Sequence, residues 1–367
     1  MKQTIRFLGD TKIFIYTLLW LMVLVVIGTV VQKEIGLYAA QQKYFSAWFT
    51  SFGYIPLPGG RLTMLVMFIN LTASFLDTNL WKWRKAGILI THFGALLLLV
   101  GGGLTAIFSV EGNMIINEGG KSNYFENSYR KELVIIQKTG MHNSVSALSE
   151  DFIKSKKRHN FTKPNYSITI IEYYNNINLV EKKIQSKGNY KGLAQHYSMV
   201  ELPNEAEIER NIPGVIYQIH GTGNDIDGIY IASTMINKSE SLQIGNNLFE
   251  ISLRKERIYL PFELELINFE KIVYPGTGMA KSYSSEVYLI ENDINRRVLI
   301  EMNEPLRHMG YTFYQSSFRG DSTTILSVVK NQGRLFPYIS SIIMSIGLLI
   351  HMLIKLPKLM RKKEKLS

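Results

Sequence analysis

Four apolar runs set the terms for this chain: Ile13–Val31, Leu62–Leu76, Ala86–Phe108 and Leu335–Ile354. A helix needs about 20 consecutive apolar residues to cross a bilayer. The second run is short, but no charge interrupts it and a hairpin partner follows closely. Overall composition conceals this division. The chain is 46% hydrophobic and 19% charged, with a mean hydropathy of +0.02, because a long polar middle offsets the apolar runs. The pattern predicts a membrane protein with four transmembrane α-helices and a large β-rich extracytoplasmic domain between the third and fourth helices.

Basic residues cluster at three places. Lys2, Arg6 and Lys12 precede the first run, and Lys82, Arg84 and Lys85 lie between the second and third. Lys355, Lys358, Arg361, Lys362, Lys363 and Lys365 follow the fourth. The loop from Gln32 to Gly60 has only Lys33 and Lys43 as cations. Short cytoplasmic loops collect Lys and Arg, so all three clusters fall on one side when both termini are cytoplasmic. The expected order is an N-terminal segment (1–12), a first span (13–31), an outer loop (32–61), a second span (62–76) and a cytoplasmic loop (77–85). A third span (86–108), an outer domain (109–334), a fourth span (335–354) and a basic cytoplasmic tail (355–367) complete it. Topology signals and solvated faces account for the net charge of +11, so nucleic acid is not an expected partner. Val30, Val31 and Gln32 lack the small residues of a signal-peptide cleavage site, which makes the first run an uncleaved anchor. With no cysteine, the chain has no disulfide, thiolate metal site or thiol-redox role.

Beyond about residue 130 the periodicity changes from helical to alternating. YSITIIEYY (166–174), GVIYQIHG (214–221), FELELINF (262–269), SEVYLIE (285–291), YTFYQSS (311–317) and TILSVVK (324–330) read as strands, bounded by Gly, Pro and Asn. They predict a β-sandwich or related fold. The polar stretch at about 139–165, with KSKKRH at 154–159, reads as a flexible, solvated excursion. YPGTGMAKS (274–282) has the outline of a phosphate loop, but Ala280 replaces the glycine required before Lys281. His142, His159, His196, His220 and His308 show no metal-ligand spacing and read as surface or hydrogen-bonded residues.

Two histidines remain, His92 and His351, both inside apolar runs. An ionisable group within a bilayer is by default a candidate functional residue. At 1.5 Å per residue, His92 lies ~9 Å and His351 ~5 Å from the cytoplasmic ends of their helices, so both fall in the inner-leaflet half. Neutral imidazole is a good axial ligand for haem iron, and Gly94 and Gly101–Gly103 leave room for close approach. The structural alternatives are a hydrogen bond to a neighbouring helix or a small water pocket for His92. For His351, near a helix end, the alternative is snorkelling to the interface.

THFGALLLLVGGGLTAIF (91–108) together with MNEPLRHMGYTFYQSSFRGDSTTILSVVKNQGRLFPY (302–338) resembles the ResB family of System II cytochrome c biogenesis. IPLPGGRLTMLVMFIN (55–70), residues 260–291 and LLIHMLIKLP (348–357) extend the resemblance over nearly the whole chain, least at about 120–245. The resemblance implies a multi-pass protein paired with a ResC/CcsA-type membrane protein, and an N-terminus without transit-peptide character makes the bacterial cytoplasmic membrane the expected location. Together they would carry haem b across the bilayer and present it for attachment to the CxxCH motif of apocytochrome c. It implies that His92 ligates the haem iron opposite a histidine of the partner; His351, by its own place in the fourth apolar run, is the expected second haem contact. Trp20, Trp48, Trp81 and Trp83 form no tryptophan-rich haem-handling segment, so that part falls to the partner. The chain reads as a subunit of a cytochrome c synthase, not an enzyme by itself. A haem-free scaffold for the partner and apocytochrome, or a membrane-tethered receptor, are the competing expectations.

Overall fold

The computed structural model describes residues 2–76, 81–139, 142–162, 164–182, 189–223, 225–236, 239–245, 247–292 and 294–363. Parts of the expected 77–85 loop and of the basic tail, including Lys365, lie outside the described residues. The helices are α1 (Lys2–Leu8), α2 (Thr11–Ile35), α3 (Leu37–Ala40), α4 (Gly60–Leu76), α5 (Ala86–Phe108), α6 (Glu150–Lys154) and α7 (Phe336–Lys363). Two compact units divide the chain. One comprises Met1–Val110 with Lys330–Ser367, the other Glu111–Val329.

In the helical unit, three segments are long and apolar enough to cross a membrane: Gln3–Ile35, Trp83–Phe108 and Phe336–Leu356. The expected fourth, α4, is apolar but only 17 residues long. Asp10 caps α2 by accepting a hydrogen bond from the Lys12 amide at 2.9 Å, the ordinary way to satisfy an exposed amide of a first turn. Asn70, buried on α4, donates to the carbonyls of Leu8 and Asp10 at 2.6 and 2.9 Å. Ser74 donates to the Gly9 carbonyl at 2.9 Å. An apolar helix that carries polar groups at one end thus ties down the α1–α2 corner, where unpaired carbonyls would be costly in lipid. At the other end, Trp20 Nε1 donates to the Pro58 carbonyl at 2.8 Å. The best-packed pair is α5 with α7, and glycine makes it possible, as described below.

The second unit is built of strands. A ten-stranded antiparallel sheet follows the order Ile294–Glu301, Ala280–Glu291, Asn247–Val273, Lys121–Thr139, Val110–Asn117, Thr323–Lys330, Tyr311–Arg319 and Leu306–His308. Glu240–Ile244 adds to Asn247–Val273, and His142–Ser149 adds to Lys121–Thr139. A four-stranded sheet runs Gly228–Ser233, Gly214–His220, Asn165–Tyr174 and Arg158–Thr162. All six stretches that alternate in the sequence lie in these strands. In Gly214–His220 the buried set Val215, Tyr217 and Ile219 alternates with half-buried neighbours, as a sheet with one packed face requires.

The strand Asn247–Val273 connects two cores. Its pairing with Lys121–Thr139 shifts register between Lys255 and Arg257 and again between Tyr259 and Leu264. Such irregularities bend a strand. Before the bend, Phe249, Ile251 and Leu253 pack with Leu133, Ile135, Ile168, Val215 and Tyr217 under the four-stranded sheet. After it, Phe262 meets Phe313 and Tyr311, and Phe125 meets Tyr311. The Ser285 hydroxyl lies 2.7 Å from both Gln315 Oε1 and the Thr324 hydroxyl, which joins two arms of the large sheet through a buried polar knot. The whole unit is therefore sheet packed on sheet.

The stretch at 139–165 corrects its sequence reading. It holds a strand, α6 and another strand. Leu148 and Ile153 are buried in the core, Ser149 caps α6 through the Phe152 amide, and His159 packs its ring against Phe161. Two apolar anchors, one at the end of the first strand and one in α6, sufficed, although the surrounding charges dominated the composition.

Candidate functional site

The helix that carries His92 has two faces of different character. On one, Gly87, Gly94 and Gly101 recur every seventh residue and are buried. A Cβ on Gly87 would stand 2.4 Å from the His351 backbone nitrogen and 2.6 Å from its Cα, and one on Gly94 would stand 2.6 Å from Met344 Cγ. One on Gly101 would meet Phe336 Cβ at 2.1 Å. Gly347 of α7 lies equally close to Thr91, and Thr105 donates to Asn331 at 3.0 Å. Small residues let membrane helices approach backbone to backbone, and α5 and α7 are held in that way.

His92 stands elsewhere on α5. It follows Gly87 by five residues, about 140° further round the helix, so it leaves α5 away from the seam with α7. Its side chain is half-buried. Nδ1 lies 2.9 Å from the Ile88 carbonyl of the preceding turn. A carbonyl oxygen only accepts, so Nδ1 is the donor in this contact, and in the corresponding tautomer of the ring the lone pair is on Nε2. This is the arrangement of a metal-ligating histidine, in which a hydrogen bond at the second nitrogen fixes the tautomer and orients the ring. His351 is also half-buried, but its backbone lies on the glycine face of α5. The structure does not gather the two histidines on a common face of α5.

The remaining histidines lie apart. His159 sits edge-on between Phe152 and Phe161. His308 Nε2 lies 3.0 Å from Glu291 Oε2 and its ring packs on Phe262; the pairing joins two strands 17 residues apart and left no trace in spacing. Among the described residues no group of three or more His, Cys, Asp or Glu side chains could hold a metal ion. YPGTGMAKS forms the turn of a β-hairpin, where the Tyr274 amide donates to the Met279 carbonyl at 3.0 Å. It is not the strand-to-helix turn a phosphate loop needs.

Comparison with known proteins settles the family. Residues 82–175 and 232–328 match the ResB-like family, more than half of the chain, and the first segment contains α5 with His92. The chain belongs to the ResB-like family. This ResB-like chain is also 26% identical over 345 residues to Protein NrfI of Wolinella succinogenes, covering 92% of this chain and 34% of that protein. It therefore spans about a third of the length of the curated relative it matches. Membership of the ResB-like family supports a role in cytochrome c biogenesis, and with the apolar helices it makes the chain a membrane-associated protein.

Proposed function

We propose that this ResB-like chain is one subunit of a System II cytochrome c synthase, and that His92 supplies an axial imidazole to haem during its passage across the membrane. In this reading α2, α4, α5 and α7 all span the bacterial cytoplasmic membrane, both termini are cytoplasmic, and the β-rich unit is extracytoplasmic. A ResC/CcsA-type partner supplies the opposing ligand and the reaction site, and apocytochrome c receives haem b. Haem is substrate here, and its own chemistry makes the thioether bonds. The cysteine-free chain holds no reductant for the acceptor thiols. Its contribution is binding and orientation.

The observation that carries the reading is the hydrogen bond from His92 Nδ1 to the Ile88 carbonyl. It leaves Nε2 as the ring nitrogen free to bind a metal within an apolar span and holds the ring against rotation. His351 is the second candidate contact, on the other helix of the packed pair.

The test is spectroscopic. The chain is co-purified with its membrane partner, and the parent, His92→Ala and His351→Ala proteins are compared by visible spectrum and bound haem. His92→Ala is expected to lose the bis-imidazole spectrum, with added imidazole restoring it. His351→Ala is expected to retain it with lower occupancy. Full haem content and an unaltered spectrum in His92→Ala would overturn ligation and leave a scaffold.

A further inference from the structure

A second feature of the helical unit lies on the same side of α5 as His92. A cavity of about 780 Å³ opens between the first turns of α4 and the C-terminal part of α5, lined among others by Trp48, Arg61, Leu65, Leu99, Gly103 and Ala106. Leu99, Gly103 and Ala106 follow His92 at steps of seven, four and three residues, which keeps all four on one side of the helix. Leu99 lies about 10 Å beyond His92 along the axis. Gly103, and Gly102 beside it, would have no atom within 4 Å of an added Cβ. These two glycines, unlike Gly87, Gly94 and Gly101, serve no helix contact. They leave the cavity wall open.

The cavity has one cation. Arg61 sits in the first turn of α4, and its amide bonds to the Ala47 carbonyl at 3.3 Å. Gly59 and Gly60 allow the Phe45–Trp48 segment to lie against that turn, because a Cβ at Gly59 would stand 2.3 Å from the Ala47 oxygen. The Arg61 guanidinium rests over the Trp48 ring at 5.8 Å, and no ion pair engages it among the described residues. An arginine fixed by an aromatic face presents its planar fork outward, which suits bidentate recognition of a carboxylate. A cavity of this volume falls in the range of small-molecule sites, roomier than one straight chain needs.

We infer that this cavity is a second porphyrin station, in which the macrocycle lies against Leu99 and Gly103 while Arg61 pairs with its carboxylates. The inference rests on the haem-handling reading above and extends it along α5. A ring released from His92 would slide along one helix face and be held by its acid groups, with its metal free for the next ligand.

Metal-free protoporphyrin IX separates this site from axial ligation, since it has the carboxylates and no iron. The full chain is placed in phosphatidylcholine nanodiscs, and binding is followed by porphyrin fluorescence anisotropy against empty nanodiscs. The parent is expected to bind this ligand although it offers His92 no iron. Arg61→Gln, which removes a charged hydrogen-bonding partner, is expected to weaken binding roughly ten-fold. The dimethyl ester should bind the parent about as weakly as the diacid binds Arg61→Gln, and should not respond to that substitution. Gly103→Leu should abolish binding by filling the cavity. Equal binding of diacid by parent and Arg61→Gln would overturn the inference. So would complete displacement by anionic phosphatidylglycerol, which would make the cavity a lipid site. If Gly103→Leu fails to fold, the Arg61 and ester comparison still decides. Failure of the parent to bind metal-free porphyrin, with an intact His92 iron spectrum, refutes this station alone; porphyrin binding by the parent without that spectrum refutes the ligation.

Discussion

Asp227 shows how single side chains organise the loops of the β-rich unit. Desolvation pushes its carboxyl up, but the hydroxyl of Thr222 and the amides of Gly221, Thr222 and Gly223 outweigh it and hold the group below its ordinary value. The Thr222 hydroxyl donates at 2.6 Å, and the amides of Thr222 and Gly221 donate at 2.8 and 2.9 Å. A carboxylate that accepts several hydrogen bonds titrates low for this reason. The sign follows from linkage: below the ordinary value the unfolded chain binds the proton more readily, so stability falls as the solution becomes more acidic. The stabilisation from Asp227 is complete above pH 3.8 and is lost as pH drops through its depressed folded value. Asp227→Asn should therefore melt lower than the parent at neutral pH, by on the order of 3 °C for a unit of this size. The difference should vanish in strong acid. Melting curves of the two proteins between pH 7 and 2 check it, and a gap that persists at pH 2 would assign the loss to something other than the charge.

At the scale of elements, α5 divides its glycines between two tasks, and substitution should tell them apart. Gly87→Leu forces a side chain into the His351 backbone and Gly101→Leu forces one into Phe336. Overpacking of this kind costs roughly 1–3 kcal/mol where neighbours can shift, and backbone neighbours shift least. Gly102→Ala meets open space and should be neutral. The absence of native cysteine allows a clean assay, with paired cysteines at Thr91 and Gly347 reporting α5–α7 proximity by oxidation. Crosslinking should fail in Gly87→Leu and persist in Gly102→Ala. Only part of this was legible in the sequence. Uninterrupted apolar length gave the long helices, period-two alternation gave strands such as Gly214–His220, and His92 was conspicuous as a polar group among aliphatic ones. The division of glycines was not legible, because Gly87 and Gly102 look alike until the partner helix is present. Nor was His142–Thr162, whose few anchors, Leu148 and Ile153, were outnumbered by solvated charges. Arg61 was hidden for a different reason: a lone arginine beside an apolar run reads as an interfacial anchor, and the cavity next to it exists only in three dimensions.

For the molecule as a whole, the consequential fact is that the β-rich unit forms from one continuous stretch of chain, Glu111–Val329, while the helical unit is assembled from both sides of it. A continuous unit with its own core can fold alone. Its interior has the means: Phe125, Leu133, Ile168, Tyr217, Ile251 and Phe313 are essentially inaccessible to solvent, and burying each such side chain contributes about 1.5–3 kcal/mol. Expressed by itself, residues 111–329 should be soluble and rich in β structure, and should bind no haem, because His92 is absent. The bent strand Asn247–Val273 belongs to both cores, so neither core can open without loosening that strand. Calorimetry should accordingly show one transition, with the calorimetric and van't Hoff enthalpies equal. Two separated transitions would show that the bend uncouples the cores, each half being stabilised mainly within itself. A cavity at the strand's centre of coupling distinguishes the two outcomes further. Leu264→Ala, at a fully buried position just past the bend, costs about 2–5 kcal/mol. It should lower the single transition as a whole if the strand transmits the loss, and only one of two transitions if it does not.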